Sequence, residues 1–105
     1  MLILMYVTCQ DKNEAKNIGN ILLENRLCGC CNIIDRIESI YWWNEKIEND
    51  EESVLIVKTK DDKIDEIISK VREIHSYENP CILALPILKA SEDYKNFIEK
   101  EIDGV

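Results

Sequence analysis

Apolar residues recur along this chain in two rhythms, and the change from one to the other marks out the elements. The run from Met1 to Cys9 is almost wholly apolar and predicts a buried strand. Between residues 12 and 27 the apolar positions become Ala15, Ile18, Ile21, Leu22 and Leu27, a helical spacing, with Asp11 or Asn13 available near the start. Residues 30–43 are rich in β-branched and aromatic side chains and predict a long strand. Asn44 and Glu45 suit a two-residue hairpin, because asparagine tolerates positive φ. The return strand runs to about Lys60, polar at first and then Val54, Leu55, Ile56 and Val57. Ile64, Ile67, Ile68, Val71 and Ile74 mark a second amphipathic helix, with Asp61 and Asp62 at its electropositive end. Residues 81–88 predict a fourth strand, and Tyr94, Phe97, Ile98 and Ile102 a short C-terminal helix.

The order βαββαβ predicts one α+β domain over residues 1–105. It is the ferredoxin-like, split-βαβ arrangement, an antiparallel four-stranded sheet in the order 4-1-3-2 with the short helix appended. Right-handed crossovers place both main helices on one face. Strands one, three and four nevertheless carry continuous apolar runs, so the other face is apolar too. One short helix cannot cover a whole sheet. The remainder exceeds the roughly 300–600 Å² that a monomer usually exposes, and at about 25 cal/mol per Å² it favours self-association. The expectation is a closed homo-oligomer, sheet packed on sheet.

Charge and composition narrow the function. The chain is 46% hydrophobic, too apolar for disorder, and its net charge of −8 with no basic stripe disfavours a nucleic-acid partner. Met1 to Val7 is too short for a signal-peptide core, and no run approaches a membrane span. The expected compartment is the cytoplasm, where the five cysteines are reduced. No nucleophile–base pair or paired acids can be placed, so no catalytic residue is assigned and the chain reads as a binding protein.

The only histidine, His75, opens the run His75-Ser76-Tyr77-Glu78-Asn79-Pro80-Cys81 at a helix–strand junction. The topology brings Cys9, His75 and Cys81 to one end of the sheet. Two thiolates and an imidazole suit copper or zinc. The structural reading stands beside it: cysteines act as small hydrophobes, and His75 can simply hydrogen-bond a backbone carbonyl. Cys28 and Cys31 are in C-x-x-C register, but they follow the C-terminal end of the first helix, where the dipole opposes a thiolate. Gly29 reads there as a helix stop. Trp42 and Trp43 point to opposite faces, so one reaches a neighbouring subunit or caps the hairpin. The acidic run Glu48 to Glu52 reads as a solvated hairpin edge.

Four segments together resemble the CutA family of divalent-cation tolerance proteins: Leu27-Cys28-Gly29-Cys30-Cys31-Asn32-Ile33, then Ser39-Ile40-Tyr41-Trp42-Trp43, then the acidic hairpin closing on Lys58-Thr59, and finally His75 through Pro86. The resemblance implies a homotrimer similar to the PII signalling proteins, a proposed role in tolerance of copper and other divalent metals, and no established catalytic activity. It also implies an intersubunit cleft, for which Trp43, Lys58, Tyr77 and Glu78 are the candidates; the plain reading of Lys58 and Glu78 is surface charge. The alternative function on this scaffold is a PII-like regulatory trimer that binds a small molecule or partner protein in such clefts. The chain departs from the family pattern at Ser76 (usually Pro), Cys81 (usually Glu), Asp35-Arg36 (Pro-Gly) and Glu45 (Gly). Where the family's proposed copper ligands are a first-strand cysteine and tandem histidines, this chain has Val7 and Ile74-His75, so only His75 carries over.

Overall fold

A computed structural model describes residues 1–104. Strand β1 (Leu2–Cys9) leads to helix α1 (Lys12–Glu24), followed by the long strands β2 (Cys30–Trp43) and β3 (Lys46–Lys60). A 3-10 turn at Asp61–Lys63 opens helix α2 (Ile64–Ile74), then come strand β4 (Ile82–Pro86) and helix α3 (Glu92–Asp103). The sheet is antiparallel with the order β2-β3-β1-β4, the expected order read from the other edge.

Alternation along β1 divides the core. Ile3, Met5, Val7 and Cys9 pack with Leu55 and Val57 of β3 beneath Ala15, Ile18 and Leu22 of α1 and Ile67 and Val71 of α2. The other face is only partly covered. Helix α3 seals one end of it, where Leu2, Ile98 and Ile102 form a separate small cluster. Ile34, Leu83 and Leu85 stay about half exposed, as the size of α3 led us to expect.

Two stops differ from the sequence expectation. Helix α1 ends at Glu24, not near Leu27, and the residue that turns the chain is Arg26, at φ +55°. Its N–H donates to the Leu23 carbonyl and that of Leu27 to the Leu22 carbonyl, a Schellman closure. Gly29 serves a different purpose: a Cβ there would lie 3.1 Å from both the Cα and the carbonyl oxygen of Ile98, so glycine lets α3 approach. The fourth strand is also shorter than residues 81–88, at Ile82–Pro86.

Beyond the sheet, β2 and β3 continue as a two-stranded arm. Trp43 faces Lys46 across a turn in which Asn44 and Glu45 both adopt positive φ, +49° and +64°, as a type I′ hairpin requires. A bulge sets the arm's direction: between Ile34 and Ile37 the register shifts by one, so Asp35 and Arg36 together face Ser53. Ser53 donates its hydroxyl hydrogen to the Asp35 carbonyl. Ile40, Trp42 and Ile47 are 68%, 72% and 64% exposed, and Trp43 is 59% exposed, so neither tryptophan is buried against the rest of the chain.

Glu45→Gly relieves a left-handed, non-glycine residue and should raise unfolding stability by about 1 kcal/mol. Gly29→Ala should lower it by about 1–3 kcal/mol, because backbone atoms of Ile98 stand in the way. Urea denaturation at one fixed protein concentration checks both.

Candidate metal centre

Three elements converge at one end of the sheet. Strand β1 delivers Cys9, fully buried on the helix-covered face. Helix α1 begins there, its Asp11 cap accepting the Glu14 N–H at 2.8 Å, and this holds the Glu14 side chain in the first turn. Helix α2 ends there: His75 is its C-cap, with N–H donated to the Val71 carbonyl and an extended backbone that carries the ring back toward β1. A Cys9 thiol, a Glu14 carboxylate oxygen and a His75 ring nitrogen lie within 4.8 Å of one another.

Hydrogen bonds occupy each of these groups except the thiol. Glu14 accepts the Gln10 N–H at 3.0 Å on one oxygen and the Ser76 N–H at 2.8 Å on the other. His75 Nδ1 accepts the Tyr77 N–H at 3.0 Å, which assigns the proton to Nε2, and Nε2 donates to the Thr8 carbonyl at 2.8 Å. Nε2 also stands 3.9 Å from Glu14 Oε1, and the imidazole is wholly shielded from solvent. The Tyr77 ring lies against it at a centroid separation of 4.7 Å and donates its hydroxyl to Glu52 at 2.8 Å.

The local field favours protons on sulfur. Burial, helped by the negative charges of Glu14, Glu52 and Asp11, pushes the Cys9 thiol up to about 12. Burial pushes Glu14 upward as well, but the Gln10 and Ser76 hydrogen bonds and nearby His75 outweigh it and leave the carboxyl below its usual range. Burial and the bond to Glu52 raise Tyr77. Soft-sulfur, imidazole and carboxylate donors together fit zinc or copper chemistry. A cation would have to displace the Cys9 proton, and to use Nε2 it would also have to shift that nitrogen's proton to Nδ1, giving up the bonds to the Thr8 carbonyl and the Tyr77 N–H.

The expected ligands are thus divided. Cys9 and His75 meet, while Cys81 stays outside the cluster. It stands just before β4, whose first residue Ile82 packs on the helix-covered core, and is only partly buried. Glu14 takes the third place. Its signal was the Asp11-x-x-Glu14 capping spacing. The cleft candidates do not converge within one protomer. Lys58 donates to the Tyr94 hydroxyl at 3.1 Å and sits 5.2 Å from its ring centre, beside Leu4 and Cys30. Tyr77 holds Glu52, six residues away along β3, roughly 20 Å. Trp43 lies at the arm's tip, and Glu78 is exposed.

Comparison with known proteins gives a consistent result. The profile of the family described as CutA1 divalent ion tolerance protein matches residues 3–101. The divalent-cation tolerance protein CutA of Archaeoglobus fulgidus is 37% identical over 99 residues, covering 94% of this chain and 96% of that one. The mouse protein CutA is 34% identical over 100 residues, 95% of this chain but 56% of its own length. Among solved structures, the Archaeoglobus fulgidus CutA matches with a TM-score of 0.94 at 37% identity, covering 97% of this chain and 99% of its own. CutA1 from Ehrlichia chaffeensis matches at 0.92 and 33%, covering 96% and 94%.

Because the Glu14 carboxyl is lowered by folding, its stabilising contribution is complete above about pH 4.5 and is lost as pH falls through the folded-state value. Glu14→Gln should therefore cost about 1–3 kcal/mol near neutrality. The gap to wild type should narrow in denaturation curves taken progressively below pH 4.5.

Proposed function

The chain belongs to the CutA1 divalent ion tolerance family, and from that premise we propose a trimeric, copper-type divalent-cation tolerance protein. It takes a soft or borderline cation at Cys9, Glu14 and His75. The observation that carries this reading is the meeting of a thiol, a carboxylate and an imidazole within 4.8 Å at the junction of β1, α1 and α2. The role is binding, not catalysis.

Assembly as a ferredoxin-like homotrimer is supported by the apolar surface that one protomer leaves uncovered. Leu83, Leu85 and Ile34 lie on the open sheet face, and Ile40, Trp42, Trp43 and Ile47 on an arm that no element of the same protomer covers. A closed ring of copies, each arm reaching the next subunit, buries both. A cytoplasmic site of action agrees with five unpaired cysteines. The PII-like alternative, a small molecule held between subunits, would draw on Trp43, Lys58, Tyr77 and Glu78 from different copies.

Calorimetric titration with copper and zinc tests the cation site. Wild type should bind about one equivalent per protomer, with affinity rising about tenfold per pH unit as the Cys9 proton is displaced. Cys9→Ser and Glu14→Gln should each weaken binding about tenfold or more, while Cys81→Ser leaves it unchanged. Equal binding by all four proteins would remove the assignment, and heat with nucleotides but with neither metal would favour the cleft reading. Sedimentation should show a particle three times the mass of the chain at micromolar concentration.

A further inference from the structure

A second group of sulfurs lies at the other end of the sheet and takes no part in the site above. The loop from Leu27 to Cys31 is pinned to β3 on both sides: Thr59 donates its hydroxyl to the Leu27 carbonyl at 2.7 Å, and the Gly29 N–H reaches the Lys58 carbonyl at 3.0 Å. In this fixed frame the sulfurs of Cys28 and Cys31 stand 3.7 Å apart. Cys30 is held away from them by strand alternation. It packs on the opposite face with Leu2, Ile98 and Ile102.

We propose that Cys28 and Cys31 are a redox-active pair, which a hydroperoxide converts into an intramolecular disulfide. Closing the bond requires the sulfurs to approach by roughly 1.7 Å, within reach of side-chain rotation. Access comes from the Cys31 side, since Cys28 is buried and Cys31 only partly so. Gly19 of α1 lies against Cys31 on the buried side, where a Cβ would sit 3.6 Å from the sulfur, in ordinary contact.

The two sulfurs are not equivalent. The hydrogen bond from Cys28 lowers the Cys31 thiol against the effect of burial, with the Lys58 ammonium adding to it. The same bond and burial raise Cys28. Cys31, the more accessible of the two sulfurs, is the attacking thiolate and the buried Cys28 the resolving thiol. The Cys31 sulfur attacks a peroxide oxygen, the O–O bond breaks, and water (or an alcohol from an organic hydroperoxide) departs. This leaves a sulfenic acid on Cys31. The Cys28 sulfur then displaces hydroxide, which leaves as water with the Cys28 proton. Hydrogen peroxide has gained two electrons and become two waters, and the dithiol has become a disulfide.

The pair follows the C-terminal end of α1, so no helix N-terminus activates it for repeated exchange with protein disulfides. The chemistry is a stoichiometric oxidation of this chain.

The test treats reduced full-length protein with hydrogen peroxide, blocks remaining thiols with an alkylating agent and maps peptides by mass spectrometry. Cys28, Cys30 and Cys31 share the tryptic peptide between Arg26 and Arg36. That peptide should lose two hydrogens in wild type and equally in Cys30→Ser, with Cys9 and Cys81 alkylated. Cys28→Ser should accumulate a sulfenic acid on Cys31 that dimedone captures. Cys31→Ser should consume peroxide about tenfold more slowly or worse. The proposal is overturned if Cys9 or Cys81 oxidises first, if Cys30→Ser abolishes the bridge, or if the products are disulfide-linked between chains. Should a variant fail to fold, fragmentation of the wild-type peptide decides the matter: its one alkylated cysteine should be Cys30, and alkylation at Cys28 or Cys31 instead overturns the pair.

Discussion

Strand β1 can give its alternate side chains to only one pair of helices. Ile3, Met5, Val7 and Cys9 go beneath α1 and α2, which leaves Leu4, Tyr6 and Thr8 on a face served by α3 alone. Everything else follows from this shortfall. A 12-residue helix closes one end of the open face, over Leu2, and its close approach requires the missing side chain at Gly29. At the other end, Leu83 and Leu85 of the edge strand β4 stay about half exposed. The apolar surface that cannot be satisfied within the protomer is concentrated on that end and on the arm.

The same economy shapes the candidate metal centre. One carboxylate, Glu14, serves as the joint between three otherwise separate segments: the turn after β1 through Gln10, the start of α1, and the loop after α2 through Ser76. His75 contributes a parallel link, from α2 to the Thr8 carbonyl on one nitrogen and to its own loop on the other. These hydrogen bonds preorganise the donors, and they also compete with any cation for them. That competition makes exchange of protons and hydrogen bonds part of ligand entry, a different situation from an open cage of free ligands.

Much of the fold was legible because it rests on local rhythm. The six elements of the βαββαβ core, the Asp11 cap and the Asn44-Glu45 turn follow from spacing and turn chemistry. Arg26 was not legible as a helix stop: a left-handed arginine has no sequence signature, and glycine three residues later was the obvious choice. The site was legible in part. Cys9 and His75 are brought together by strand order, which the element sequence dictates. Cys81 lies outside the group of Cys9, Glu14 and His75, since topology locates a strand end without saying which face a residue there presents. The Asp11-x-x-Glu14 spacing marks Glu14 as part of a helix cap, but its bond to Ser76, 62 residues away, which brings it beside His75, leaves no mark in local spacing.

The bulge opposite Ser53 has a further effect. Along β2, Cys30, Asn32 and Ile34 look toward the α3 side, and without an extra residue the even-numbered positions would continue to do so. With Asp35 and Arg36 sharing one partner, parity inverts at Ile37. Odd-numbered Tyr41 and Trp43 now look toward the α3 side, while Ile40 and Trp42 look the opposite way. One supernumerary amino acid thus determines which indole is displayed on which surface of the arm.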